Sequence, residues 1–113
     1  MSNTAYRIVK TLTIADGATV SDTCSLDDYF LCGLDVPAMT GTALTLEGSV
    51  DGVTYRAVKS SDLATNYSSL TVDATGAIIA LNPQNWVGIK FFRLTAGTAQ
   101  GANRLIDLLG YRA

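Results

Sequence analysis

The chain has 113 residues, 48% of them hydrophobic and only 16% charged, with a formal net charge of −2. That length is one domain, and that apolar content excludes a disordered chain. Ten acidic and eight dispersed basic residues, with no histidine, argue against a phosphate-binding basic patch and remove the commonest general base and neutral metal ligand.

In chain order, short apolar runs alternate with Gly, Asp, Asn and Pro punctuation, and no stretch of helical length has a period near 3.6. The first strand is expected over 5–14, with Tyr6, Ile8, Leu12 and Ile14 on one face and Lys10 as the exception. Asp16-Gly17 turns the chain, and residues 19–26 follow with Val20, Cys24 and Leu26 on one face. After Asp27-Asp28, residues 29–36 group Phe30, Cys32, Leu34 and Val36, and Pro37 stops the strand because it has no amide hydrogen to give. Residues 43–50 alternate clearly, Leu44, Leu46, Gly48 and Val50 inward against Thr45, Glu47 and Ser49. Asp51-Gly52 carries the type I′ hairpin signal into a return strand over 53–58.

A polar connection over 60–67 leads to short strands at 69–72 and 77–81 around Thr75-Gly76. Asn82 and Pro83 read as the cap and first position of a single helical turn over 83–87, ended by Gly88. A strand over 89–95, a loop over 97–101 and a last strand over 103–111 complete the chain. Leu105, Ile106, Leu108 and Leu109 make that last strand apolar on both faces, as for a central strand or one lying against a partner. The expected architecture is all-β: one antiparallel β-sandwich of eight or nine strands spanning 1–113, with residues 1–5 as an N-terminal arm.

Each candidate site also has a plain structural reading. Cys24 and Cys32, if their strands form a hairpin, lie diagonally beyond bridging distance and are expected as buried free thiols; two cysteines alone do not fill a zinc site. Asp22, Asp27 and Asp28 cluster near a turn without calcium-loop spacing, so a solvated turn is expected. The glycines of 96–104 lack the Gly-Lys-Ser/Thr ending of a Walker loop and read as a flexible hairpin loop. Trp86 is expected in the core, with a sugar-stacking platform of Trp86, Tyr29, Tyr55 and Tyr67 as the alternative. Asp107, inside an apolar strand, calls for a partner such as Arg104 or Arg93. No cofactor, metal or catalytic residue is expected. No apolar run reaches the ~20 residues of a membrane span, and MSNTAYRIVK does not read as a secretory leader.

Residues 41–58, GTALTLEGSVDGVTYRAV, and 78–109, IIALNPQNWVGIKFFRLTAGTAQGANRLIDLL, carry a resemblance. The pattern positions are Leu44, Thr45, Gly48, Ser49, Asp51, Gly52, Thr54, Tyr55, Leu81, Pro83, Trp86, Gly88, Phe92, Arg93, Leu94, Gly97, Thr98, Gln100 and Arg104. In these the chain resembles small tailed-phage proteins encoded near head genes, over roughly its last two thirds. The resemblance implies a jelly-roll-like virion protein, a capsid decoration or cement protein. Its partners would be the major capsid protein and copies of itself, as a homo-oligomer on the capsid surface assembled in the host cytoplasm, with no nucleic acid or membrane. Low charge and many Thr, Ser and Ala residues suit flat protein contact. The expected contact residues are Ser2, Asn3, Tyr6 and Arg7 at one end and Tyr111 and Arg112 at the other, with frayed termini as the alternative. A glycan-binding or tail-associated adhesion module on the same sandwich is the second reading of function.

Overall fold

The computed structural model describes residues 7–112, with side chains described for 10–111. The described chain forms nine strands and one short 3₁₀ turn. In order these are β1 (Arg7–Ile14), β2 (Val20–Ser25), β3 (Tyr29–Val36), β4 (Ala43–Ser49), β5 (Arg56–Ala57), β6 (Ser69–Thr71), β7 (Ala77–Ala80), the turn Pro83–Trp86, β8 (Phe91–Ala96) and β9 (Arg104–Arg112).

The strands follow from period-two alternation, because successive side chains leave a pleated strand on opposite faces. In β4, Leu44, Leu46 and Gly48 are buried, while Thr45 and Glu47 between them are half-buried. In β8, Phe92, Leu94 and Ala96 are buried between the half-buried Phe91, Arg93 and Thr95. The single helical turn forms where Asn82 accepts a bond from the Gln84 N–H at 3.1 Å and Pro83 fills the first position.

All pairings are antiparallel. One sheet has the order β1-β9-β3-β7, and the other runs β2-β8-β4-β5 with β6 also on β4. β5 and β6 divide β4 between them: Arg56 and Ala57 pair with Gly48 and Glu47, and Ser69 to Thr71 pair with Thr45 to Ala43. Taking β5 and β6 as one interrupted strand, the chain is an antiparallel ribbon of four strand pairs, β1 with β9, β2 with β8, β3 with β7 and β4 with β5/β6. Rolling that ribbon sets β9 against β3 and β8 against β4. This is a jelly roll, a sandwich of two Greek keys.

The core lies between the sheets. Leu12, Ile14, Leu31, Leu34, Val36, Ile106 and Leu108 come from the first sheet, and Cys24, Leu44, Leu46, Phe92, Leu94 and Ala96 from the second. Each such aliphatic or aromatic side chain contributes ~1.5–3 kcal/mol on burial. β1 and β2 lie against each other and close one side of the sandwich, and the Thr13 N–H donates to Asp22 Oδ1 across the seam at 2.8 Å.

Several expectations are corrected. Val50 and Val20 do not hold the inward faces read for them: Val50 is 74% and Val20 43% exposed while Ser49 and Ser21 are buried, and in β2 a bulge between Val20 and Thr23 shifts the alternation. The segments 19–26 and 29–36 are not a hairpin, since β2 and β3 belong to opposite sheets and Asp27-Asp28 carries the chain across. Asp51-Gly52 is not a two-residue type I′ turn. That turn needs positive φ at both positions, and Leu63 is the sole non-glycine with positive φ among the described residues. Pairing stops at Gly48 and Arg56, and the wide loop between them is organised by Asp51. Residues 97–103 cross from β8 in one sheet to β9 in the other, so they are not a hairpin loop. Finally, Phe30 does not share a face with Leu34 and Val36. A bulge between Leu31 and Gly33 adds a residue to the strand and reverses its alternation. Leu31 then faces the core, and Phe30 meets the Tyr111 ring at 5.2 Å.

β9 is central, between β1 and β3, but only its inner face is fully buried. Ile106 and Leu108 have no exposure, while Leu105 is 57% exposed on the outer face.

Candidate functional site

The polar resemblance positions outside the core build three clusters, and in each the geometry serves the fold. The first is the loop after β4. Asp51 Oδ1 accepts from the Val53 and Thr54 N–H groups at 2.8 and 2.9 Å and from the Ser49 hydroxyl at 3.0 Å. Ser49 Oγ in turn accepts from the Gly52 N–H at 2.9 Å. These donors, Thr54 first, then Val53 and Ser49, hold the Asp51 carboxyl below its ordinary value of 3.8. Gly52, at φ +79°, sits over the Phe91 ring.

The second cluster lies on the outer face of the second sheet. Glu47 and Arg93 are cross-strand partners, and Arg93 Nε donates to Glu47 Oε1 at 2.8 Å. The Thr95 hydroxyl donates to the same oxygen at 2.8 Å. The Arg93 guanidinium lies 4.5 Å from the Tyr55 ring centroid, a cation–π contact. The pair is about a quarter exposed, so its worth is that of a screened surface pair, ~0–1 kcal/mol.

The third cluster is the crossing between β8 and β9. Gln100 is 2% exposed. Its Oε1 accepts from the Thr40 N–H and its Nε2 donates to the Thr40 carbonyl, both at 2.9 Å. Nε2 also donates to the Thr98 carbonyl at 2.9 Å, and Arg104 Nε donates to Gln100 Oε1 at 3.3 Å. Arg104 Nη2 reaches the Thr40 hydroxyl at 3.1 Å. One amide side chain thus ties the loop 97–103 to the segment before β4.

The other expected residues lie apart. Asp107 accepts from the Thr11 hydroxyl at 2.7 Å and is half-buried rather than enclosed; Arg93 and Arg104 are engaged with Glu47 and Gln100 instead. Asp22, Asp27 and Asp28 are exposed, Asp22 accepting the Thr13 N–H. Among the described residues no three metal-ligating side chains converge. Cys24 and Cys32 are free and each 8% exposed. Burial pushes the Cys24 thiol up to about 11 and raises that of Cys32. Cys32 Sγ donates weakly to the Leu109 carbonyl at 3.4 Å.

Trp86 is 4% exposed and meets the Phe92 ring edge-on, with centroids 5.6 Å apart. It is a core residue and offers no free face for stacking. Tyr55 covers Arg93, so the four aromatics form no common platform. Trp86 and Tyr29 both line a groove of about 330 Å³, with Phe30, Pro83, Asp27 and Lys90 around its wall. Of the expected contact residues, Ser2, Asn3 and Tyr6 lie outside the described residues, as do the side chains of Arg7 and Arg112. Tyr111 is 38% exposed, opposite Phe30.

Sequence reasoning missed the Gln100 clamp and the outward Ile78 and Leu63, while the two-sided apolarity read over 103–111 had already marked Leu105. Ile78 is 72% exposed beside Asp35 in register, and Leu105 is exposed on the same outer face of the first sheet. Leu63, with φ +63°, tops the excursion between β5 and β6 and is 73% exposed. A glutamine set among Gly, Thr and Ala was the available signal for the clamp. Among the described residues, no helix is long and apolar enough to cross a membrane. Compared with known protein families, curated proteins and solved structures, the chain matches none.

Proposed function

We propose that this chain is a non-enzymatic structural protein of a phage virion, a decoration or cement protein that binds the outside of the head shell. The observation that carries this reading is the outer face of the first sheet. Ile78 and Leu105 stand exposed there, Ala80 and the half-buried Leu109 flank Gly33 in the next row, and Asp35 and Asp107 lie in the row of Ile78. A domain with only 16% charge that keeps large aliphatic groups on an open sheet face is suited to lie against another protein. The resemblance positions support the same reading. They build turns, a clamp and a core, which is what a family whose shared trait is a shape would retain.

A shell loaded by packaged DNA gains stability when many small subunits bridge its capsomers, and each contact needs only modest strength because attachment is multivalent. The test is cosedimentation of the purified protein with empty and filled heads, followed by imaging of the particles. Density for the protein at repeated positions on the shell is expected. Shells that stay bare at saturating protein, or binding to host polysaccharide by the isolated chain, would overturn this reading, the second outcome in favour of the adhesion module.

A further inference from the structure

We infer that β7 is a self-pairing edge: two copies of this chain join through antiparallel pairing of β7 with β7 about a two-fold axis.

The sandwich has four sheet edges, and three are protected by recognised devices. β1 carries a bulge and the exposed Lys10, and it lies against β2. β2 carries its own bulge and is tied to β1 through Asp22. β5 and β6 are two and three residues long, with Arg56 in one and the connecting excursion through Lys59 beside them. Bulges, charges, shortness and cover are how edges are kept from pairing with other chains. β7 is short too, at four residues, but it is one unbroken run with no charge, bulge or proline. Its sequence is Ala-Ile-Ile-Ala, its register on β3 is unbroken, and the chain carries no charge from Ala74 to Ile89.

The polarity of the edge follows from one bond. The Leu81 N–H donates to the Cys32 carbonyl at 3.0 Å. Antiparallel ladders alternate, so Ile79 and Ala77 also direct their N–H and C=O groups at β3, and Ile78 and Ala80 direct theirs to the open edge. Those two residues are the ones a two-fold axis through Ile79 brings together. Ile78 then faces Ala80 of the second copy and Ala80 faces its Ile78, and each pair exchanges both N–H···O bonds. The pairing is self-complementary, as a two-fold contact must be. It sets the large Ile78 beside the small Ala80 on the outer face and brings no like charges together. The two four-stranded sheets become one continuous sheet. With four main-chain bonds and a small apolar area, the contact belongs to the weak class, below the size of a standard interface.

The pairing does not rest on the capsid reading and is tested on the free protein. Sedimentation equilibrium of the unmodified chain is expected to show its mass doubling as concentration rises. Ala80→Pro removes an N–H that faces the open edge and none that β3 uses; it is expected to keep its circular dichroism and remain a monomer. A mixture of Ile78→Cys and Ala80→Cys chains is expected to oxidise to the mixed disulfide, since directly opposed hydrogen-bonded residues lie ~5.5 Å apart. Each variant alone should cross-link at least several-fold less. A monomer at every concentration up to ~1 mM, a dimer that survives Ala80→Pro, or equal cross-linking in all combinations would overturn the inference. Heads decorated by a protein that meets one of those outcomes would leave the virion reading standing without this contact.

Discussion

Gln100 closes on Thr40 as a neighbouring strand would, accepting from its N–H and donating to its carbonyl at 2.9 Å each. Removing that amide strands two main-chain groups of Thr40 and the carbonyl of Thr98. Each buried polar group left unsatisfied costs ~1–3 kcal/mol. Gln100→Ala is therefore expected to destabilise the domain by about 2–3 kcal/mol, with some of the stranded groups recovering water. In a thermal melt this is a fall in Tm on the order of 10–20 °C; a shift below ~3 °C would show that the clamp is dispensable.

Asp51 gives the acid limb of the stability profile a defined component. Its folded-state value is depressed, so the stability it contributes is present above the unfolded value of 3.8 and is lost as pH falls through the depressed one. Asp62 and Asp73, held low chiefly by Ser60 and Thr75, act in the same direction. Asp51→Asn is expected to flatten the fall in denaturation midpoint below about pH 4 relative to the unmodified chain. An acid limb of unchanged slope would assign the effect elsewhere.

The cysteines make an opposite, alkaline prediction. Burial raises both thiols, Cys24 to about 11. The unfolded chain ionises first as pH rises past 9.0, so this component of stability is present below that value and fades towards the folded one. At pH 8 Cys24 of the native protein should react with a thiol reagent about a hundred-fold more slowly than after denaturation, and Cys32 should also be slowed. Denatured, unreduced protein should yield two thiols per chain.

Trp86 separates the two readings of this fold by its fold energy. Buried against Phe92, it should cost ~3–5 kcal/mol as Trp86→Ala and less as Trp86→Phe. Chemical denaturation midpoints provide the measurement. A Trp86→Ala protein of unchanged midpoint that loses affinity for a polysaccharide would instead mark Trp86 as a ligand contact.

The strands were legible in the sequence because alternation is a local signal: Leu44, Leu46 and Gly48 announce their face without reference to anything distant. Their partners were not legible. Ile14 pairs with Arg104 and Phe30 with Tyr111, and no short-range pattern encodes such matches. The hairpin expected for 19–36 failed for that reason, since in a rolled ribbon most consecutive strands change sheets. The bulge at Leu31 to Gly33 broke the period on which the face of Phe30 was read. Asp51-Gly52 carried a turn signal, but the Ser49 hydroxyl and the Asp51 carboxylate built a wider loop than the dipeptide implies. Trp86 and the capped turn at Asn82 were readable because both depend on near neighbours. Gln100 was not, because its burial is imposed by Thr40, far away in the chain.

The seating of β9 between β1 and β3 has a kinetic consequence. The strand that joins the two halves of the first sheet is made after all the others, so during translation Leu12, Ile14 and Leu34 have no Ile106 or Leu108 to meet. Until the ribosome has released Arg104–Arg112, β1 has no partner strand in its sheet and β3 has only β7, and productive collapse waits for closures between sequence-distant segments. Domains of such high contact order fold on the order of milliseconds to seconds, and the interval before β9 arrives is when this polypeptide is most open to chaperones and to aggregation.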